Sequence, residues 1–315
     1  MDSKQRVKIF QRALARYGLL GTNQLLVRLP YPLVRFLTHI LVAIGYRLTI
    51  KQRRMAKESL QIAFGSEKSP QEINRITKQC FENIGQGMTE MLYFMAHPGL
   101  LDKKVSWQGR AHLDEALKKG NGVIAVTAHF GNFPLMMLTC AHQGYPCHCV
   151  IRPTRDQELE KFLLKKRTEA RLNTVYAIPR KQCVEQSIKV LRKNEVLFIP
   201  LDQNFGSGGG VFVDFFGQKA ATATGPVVFA LRTKAPILPM FIIRESDDRH
   251  KIIIEPPLEI ETKGDERETI EFNIIKLTGL IERYIRKYPH EWGWMHRRWK
   301  SRPSFEPAAV SDALI

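Results

Sequence analysis

The spacing of apolar residues divides the chain into a helical N-terminal part and a longer part in which strands and helices alternate. Between residues 51 and 96, apolar residues recur at three- and four-residue steps, which predicts helices. The run Ser-Pro-Gln-Glu at residues 69–72 predicts a capped helix start. After residue 99, short apolar runs rich in β-branched residues are separated by amphipathic segments.

These runs predict strands at 105–108, 123–127, 146–151, 173–178, 196–200, 211–216, 237–244, 252–255 and 258–261. Helices are predicted at 112–118, 134–143, 156–172, 184–192, 225–234 and 268–288. Regular alternation of the two predicts an α/β fold with a central mixed sheet flanked by helices.

A denser apolar stretch covers residues 31–50 and is interrupted by Arg35, His39 and Arg47. Its length suits a membrane, and basic residues near its ends can reach lipid phosphates. We therefore expect a membrane-embedded or interfacial helix, the alternative being a buried helix of the core. The predicted organisation is a basic, membrane-associated helical segment at 1–50, a main domain at 51–303 and a flexible tail at 304–315.

The composition is strongly basic, with 48 Lys and Arg against 31 Asp and Glu and a net charge of +17. Such a charge implies an anionic partner. Nucleic acid is disfavoured because no helix-turn-helix, zinc-finger or RNA-binding motif accompanies the charge. The five scattered cysteines favour a reducing compartment. A metal site at Cys147-His148-Cys149 is disfavoured, because adjacent strand residues point to opposite faces and a second ligand cluster at zinc spacing is missing.

The candidate chemistry starts at His129, which follows the apolar strand at 123–127. A histidine on a rigid strand end is well placed as a general base, although a structural role is the alternative. Gly131 allows a sharp turn and close approach of a substrate, and Asn132 supplies an amide donor or a helix cap. Pro134 suits the first turn of a helix, and donors near Gly131 and Asn132 at its start are expected to stabilise an oxyanion.

Two further strand ends carry polar candidates. Asp202 and Gln203 follow the strand at 196–200 and precede a glycine-rich loop without the spacing of a phosphate-binding loop. Arg152 leaves the strand at 146–151 and suits a substrate phosphate or carboxylate. The alternatives are a loop-capping role for Asp202 and a plain surface charge for Arg152.

Aromatic residues mark two more segments. Phe215 and Phe216 either form core or wall an acyl chain beside the site. Residues 292–300 combine three tryptophans with basic residues, a mixture that suits a membrane interface or a phosphorylated glycolipid, with Arg297 as a binding candidate. Single-stranded nucleic acid would also suit this mixture.

Together these segments resemble the late acyltransferases of lipid A biosynthesis, the lauroyl and myristoyl transferases, within the glycerolipid acyltransferase superfamily. The resemblance covers residues 30–303 through Arg53-Arg54-Met55-Ala56, Gly109, His129-Phe130-Gly131-Asn132, Arg152-Pro153, Asp202-Gln203, Phe215-Phe216-Gly217, Ala221-Thr222 and residues 292–299.

The resemblance implies a glycerolipid acyltransferase-like fold and an enzyme on the cytoplasmic face of a bacterial inner membrane. It implies transfer of an acyl chain from an acyl carrier protein or coenzyme A thioester to a hydroxyl of a phosphorylated glycolipid. The implied partners are the carrier protein, the glycolipid and an anionic membrane surface, and neither a metal nor another cofactor is expected.

One position departs from the family pattern of His, four residues, then Asp or Glu, because Pro134 stands where the acid belongs. Another acid is expected to orient His129, with Asp202 first and Asp214 second. The alternatives are catalysis by a lone histidine and a degenerate homologue that only binds lipid. The departure also bears on the acceptor: a lipid A precursor is expected first, with another glycolipid or a lysophospholipid as the alternative.

Overall fold

A computed structural model describes residue 21 and the ranges 26–206 and 210–303. Most of the residues before 26 and the predicted tail at 304–315 lie outside the described residues.

The described chain contains ten helices of four residues or more and two short 3₁₀ turns. The helices are α1 (Tyr31–Leu48), α2 (Ile50–Phe64), α3 (Pro70–Ala96), α4 (Leu101–Lys104), α5 (Arg110–Lys118), α6 (Phe133–His142), α7 (Gln157–Glu169), α8 (Arg180–Arg192), α9 (Gly225–Thr233) and α10 (Glu266–Lys287). The 3₁₀ turns cover Pro98–Leu100 and Pro289–Glu291.

Nine strands complete the described structure. They are β1 (Val105–Gln108), β2 (Val123–Thr127), β3 (Cys147–Ile151), β4 (Leu172–Tyr176), β5 (Val196–Pro200), β6 (Val211–Phe215), β7 (Gln218–Thr222), β8 (Ile237–Arg244) and β9 (His250–Ile254).

Seven strands form one sheet in the order β1-β9-β8-β2-β5-β3-β4, and β6 and β7 form a separate hairpin. All neighbours in the large sheet are parallel except β8 and β9. The carboxyl ends of β8, β2, β5, β3 and β4 therefore meet at one edge of the sheet. In parallel α/β sheets, ligands bind at this edge.

Helices cover both faces of the sheet, and the strand pattern explains why. Every residue of β2 is buried, as expected for a strand in the middle of a covered parallel sheet. Ile124 and Val126 belong to one hydrophobic cluster, while Val123 and Ala125 belong to the other. This alternation follows from the two-residue period of a strand.

The predicted mixed α/β fold with flanking helices is confirmed, and most predicted elements are found within a few residues of their expected bounds. The predicted cap at residues 69–72 is a complete capping box between Ser69 and Glu72. The strand predicted at 258–261 is wrong, because Leu258 makes only an isolated bridge to Ile237. Strand β7 is not among the predicted strands, because its small residues Ala220 and Ala221 carry little strand preference.

Helix α1 occupies most of the predicted apolar stretch and packs one side against α3, with Val34 and Thr38 buried. Its other side exposes large apolar side chains at Leu33, Phe36, Ile40, Leu41, Ile44 and Leu48. No single helix among the described residues is both long and apolar enough to cross a membrane, but α1 and α2 pass that test as a pair bent by 82°.

Candidate active site

The central pair of strands brings His129 and Asp202 together. Thr127 at the end of β2 pairs with Pro200 at the end of β5. The N–H of Leu201 continues the ladder by donating to the Thr127 carbonyl at 2.9 Å. His129 and Asp202 each lie two residues beyond these strand ends, so the parallel register places them side by side.

Asp202 holds His129 by two hydrogen bonds. Its Oδ1 lies 2.9 Å from Nδ1 of the imidazole, and its Oδ2 accepts the backbone N–H of His129 at 3.0 Å. Asp202 is 1% exposed. Burial lowers the pKa of His129, but the charge and hydrogen bond of Asp202 outweigh it, so the net shift is upward. Burial alone would raise the pKa of Asp202. The neighbouring His129 and the hydrogen bond from Trp292 lower it by more, so the net shift is downward and the carboxylate stays ionised.

Two neighbours complete the environment of this pair. The indole Nε1 of Trp292 donates to Oδ2 of Asp202 at 2.7 Å, which fixes the carboxylate from the other side. The side-chain amide of Gln203 lies 3.0 Å from Nε2 of His129. Because Nδ1–H donates to Asp202, Nε2 carries the lone pair and accepts from Gln203. A basic nitrogen therefore faces the partly exposed side of the site.

The corner after His129 requires glycine at position 131. Gly131 has a φ of +57°, in the left-handed region. A Cβ added there would overlap the carbonyl oxygen of Ile242 in β8. The N–H of Gly131 donates to the Glu291 carbonyl at 2.8 Å, so the corner is tied to the C-terminal segment.

We expect Gly131→Ala to lower the free energy of unfolding by about 2 kcal/mol or more, because it adds backbone strain to an overlap with a fixed strand. Urea unfolding of the purified protein measures this loss. Gly279→Ala is the matched control, since Gly279 lies within α10 with open space around its Cα. Equal stability of the two variants would contradict the argument.

Several polar groups at this corner already have partners within the protein. The Gly131 N–H is taken by Glu291, and the buried Asn132 side chain is used twice: Oδ1 accepts from the N–H of Leu135, and Nδ2 donates to Glu90. Asn132 is therefore the N-cap of α6 and not a free substrate donor. In the described part of the chain, the N–H of Phe133 at the helix start has no acceptor. The Phe133 ring packs edge-on against His129, 4.9 Å away between centroids.

The aromatic candidates lie in the core. Phe215 and Phe216 are buried and pack against each other and against Trp299, so they correspond to the core alternative and do not wall an open channel. Trp292 and Trp294 are also fully buried. The indoles of the tryptophan-rich segment therefore point into the protein and not to its surface.

The basic and acidic candidates are spread more widely. Arg152 is exposed at the carboxyl end of β3, two strands from His129 in the sheet, and Arg297 is exposed next to the buried Arg298. The structure does not bring either of them into contact with His129. Asp214, the second candidate acid, forms an exposed ion pair with Lys219 on the β6–β7 hairpin. Asp202 is thus the candidate acid that touches the imidazole.

Sequence reasoning missed several residues that shape the site. Trp292 binds Asp202 across 90 positions of sequence. His296 lies with its ring centroid 6.3 Å from that of His129, and burial lowers its pKa, which keeps it neutral. Arg298 donates to the carbonyls of Gln203 and Ala221 and so braces the loop after β5. Burial lowers the pKa of Arg298 to about 10.

With this geometry in view, the family can be assigned. The profile of the family described as bacterial lipid A biosynthesis acyltransferase matches residues 1–301 of this chain. The chain belongs to that family. Its members named below are O-acyltransferases, and this chain is accordingly an acyltransferase of lipid A biosynthesis.

Two sequence relatives agree with the assignment. The chain is 28% identical to the lipid A biosynthesis lauroyltransferase of Escherichia coli K12, over 92% of each chain. It is 26% identical to the palmitoleoyltransferase of the same organism, over 90% of each. A crystal structure of a 1-acyl-sn-glycerophosphate acyltransferase from Thermotoga maritima covers 81% of this chain and 98% of its own, with 12% identity and a TM-score of 0.37.

Proposed function

We propose that this protein transfers a fatty acyl chain from a thioester to a hydroxyl of a lipid A precursor, with His129 as general base and Asp202 as its orienting acid. The observation that carries the proposal is the 2.9 Å contact between Nδ1 of His129 and the buried Asp202. Asp202, which follows β5, thus supplies the carboxylate that the family pattern has at position 134, where this chain has proline.

The reaction follows from the state of the imidazole. The hydroxyl of the acceptor replaces the Gln203 amide at Nε2, and Nε2 takes its proton as the oxygen attacks the thioester carbonyl carbon. The new C–O bond forms first, and the C–S bond then breaks. The proton on Nε2 passes to the departing thiolate, so His129 returns to its starting state without an acyl-enzyme.

The oxyanion that forms on the thioester carbonyl needs a donor close to His129. The N–H of Phe133 fits this role, because it stands at the positive end of α6 and its side chain contacts the imidazole. The donor expected near Gly131 and Asn132 is thus taken to be the neighbouring Phe133, because the polar groups of the other two residues are engaged within the protein.

The proposed donor is an acyl carrier protein, with acyl coenzyme A as the alternative. A net charge of +17 favours acidic and phosphorylated partners, which include the carrier protein, the acceptor phosphates and anionic lipid. The thioester is a co-substrate, and the proposed steps use the side chains of His129 and Asp202 and the backbone N–H of Phe133. Arg152 and Arg297 remain predicted contacts for the acceptor, together with Gln203.

Mass spectrometry of products tests the proposal. Purified protein is mixed with a tetra-acylated lipid A precursor and with either acyl carrier protein or coenzyme A thioesters of several chain lengths. A mass gain of one acyl group supports the proposal and identifies the donor and the chain length. Transfer only to a lysophospholipid or another glycolipid would show that the acceptor is not a lipid A precursor. Absence of transfer to any acceptor would favour a homologue that binds lipid without transferring acyl groups.

We also propose that α1 lies on the cytoplasmic surface of the inner membrane. Its exposed apolar side includes Phe36, 61% exposed, and Leu41, 54% exposed. Arg47, Lys51 and Arg54 are exposed near its C-terminal end and at the start of α2. An apolar face with a basic border is the pattern of an interfacial helix.

Paired glutamates on this face are expected to abolish membrane binding. Burying two large apolar side chains contributes about 3–6 kcal/mol, so Phe36→Glu with Leu41→Glu is expected to weaken binding by about a hundredfold or more. Sedimentation with phosphatidylglycerol-containing vesicles measures it. Ile275→Glu is the control, since Ile275 is an exposed apolar residue on α10. Unchanged vesicle binding by the double variant would show that α1 does not contribute to membrane binding.

A further inference from the structure

A buried cluster of charged side chains lies behind the corner that carries His129. Its centre is Glu90 on α3, which is 5% exposed. Its carboxylate binds both terminal nitrogens of Arg244, with Oε1 at 2.7 Å from Nη1 and Oε2 at 2.8 Å from Nη2. His250 Nε2 lies 3.1 Å from Oε2. The pairing is bidentate, the strongest geometry for an arginine and a carboxylate.

Asn132 connects this cluster to the corner. Its Nδ2 donates to Oε2 of Glu90 at 3.1 Å, while its Oδ1 caps α6 by accepting the N–H of Leu135 at 3.2 Å. Turning the amide over would place Oδ1 against the carboxylate and leave Leu135 without its cap. Glu90 thus sets the orientation of the Asn132 side chain at the start of α6.

A second connection reaches Gly131 from the same cluster. The backbone N–H of Arg244 donates to Oε1 of Glu291 at 3.0 Å. The carbonyl of Glu291 accepts the N–H of Gly131 at 2.8 Å. Asn132 is therefore bonded to Glu90 directly, and Gly131 is connected to Arg244 through Glu291.

Helix α1 also contacts the cluster around Glu90. The hydroxyl of Tyr31 donates to Oε1 of Glu90 at 3.3 Å. Arg35 pairs with Asp248 at 2.6 Å, and Asp248 lies 3.3 Å from Nη1 of Arg244. The cluster is thus shared between the exposed apolar helix and the corner of the site.

Buried ion pairs of this kind contribute little to the free energy of unfolding compared with apolar packing. Burial raises the pKa of Glu90, but His250 and Arg244 reverse the shift and hold it at about 2, so the group is a buried anion. Replacing a buried ion pair by apolar side chains often leaves a protein equally or more stable. A network that is costly to bury and ends at the catalytic corner points to a role in positioning.

We propose that Glu90 is a positioning residue for acyl transfer, acting through Asn132. It fixes the first turn of α6 relative to β2, so that Nε2 of His129 and the N–H of Phe133 face the thioester together. This inference rests on the proposed transferase function.

Removing the link is expected to lower kcat and to leave substrate binding intact. Asn132→Ser keeps an oxygen that can cap α6 but loses the bond to Glu90. We expect kcat to fall by about tenfold to a hundredfold, because small displacements of reacting groups cost this much, while KM changes less than about threefold. Glu90→Leu, which removes both acceptor oxygens, is expected to give the same split. The two changes combined should be no worse than the more severe single change, because both break one connection.

Asn273→Ser is the matched control. Asn273 is fully buried, and its amide bonds to the carbonyls of Glu261 and Thr269 on α10 and its preceding loop. It is expected to lower the melting temperature at least as much as Asn132→Ser does and to retain the wild-type kcat.

The outcomes separate this inference from the proposed function. If the wild type transfers no acyl group, the proposed function fails. If the wild type is active and Asn132→Ser keeps kcat within about twofold, the positioning role of Glu90 is overturned. An equal loss of kcat in Asn273→Ser, or additive losses in the double variant, would overturn it as well. If Glu90→Leu does not fold, Asn132→Ser alone decides.

Discussion

His129→Ala is expected to lower acyl transfer by about a thousandfold or more, because general-base catalysis contributes roughly 10²–10⁴ and Nε2 of His129 faces the open side of the site. The fold should survive, since the imidazole is partly exposed and its backbone bonds to Asp202 and Gly293 remain. Single-turnover transfer, followed by the mass of the lipid product, measures the loss.

The control is His142→Ala at the far end of α6, where the histidine only approaches Asp102 at 3.7 Å. This variant should keep full activity. Transfer by His129→Ala within tenfold of the wild type would rule out a general-base role, and the lone-histidine hypothesis would fall with it.

Asp202→Asn is expected to reduce kcat by about 10²–10⁴, the range found when the acid behind a catalytic histidine is made neutral. The new amide can donate to Nδ1, which would move the imidazole proton to Nε2 and remove the base. Because Trp292 and the His129 backbone can still donate to the remaining oxygen, the fold is expected to persist. Asp214→Asn is the control, since Asp214 pairs only with the exposed Lys219 among the described residues.

The pH dependence gives a second measure of the same bond. Asp202 raises the pKa of His129 in the folded protein, and only neutral His129 can accept a proton. Activity should therefore rise with pH through that raised pKa. In Asp202→Asn the raising charge is lost, so the residual activity should begin at a lower pH. If the low-pH side of the activity profile is the same in Asp202→Asn as in the wild type, a group other than His129 controls it.

The sequence predicted the elements that carry the site better than it predicted their packing. The strand at 123–127 and the strand at 196–200 were predicted with their observed bounds, because both are continuous apolar runs in a covered parallel sheet. Their pairing in one sheet was expected from the alternating pattern. The expectation that Asp202 lies near His129 depended on that pairing, and the structure places the two in contact.

The packing of residues 292–299 could not be predicted from composition. Tryptophans with arginines suit a membrane interface and also a core in which indole N–H groups find buried acceptors. The structure shows the second case, with Trp299 donating to the carbonyl of Phe215 and Trp294 to that of Pro289. Glu90, Arg244 and His250 come from separate parts of the chain, and local patterns do not indicate such a meeting.

The contribution of the C-terminal segment has a consequence for how the protein is made. Trp292 binds Asp202, its neighbour Glu291 holds Gly131, and Phe130 forms a bridge with Trp292. Most of the chain therefore has to leave the ribosome before the catalytic pair is held, since these contacts join residues far apart in sequence. A nascent chain that has emerged only through α10 contains both His129 and Asp202 but lacks the indole and the carbonyl that fix them. The catalytic pair is accordingly held only after residues 291 and 292 have been synthesised and packed against it.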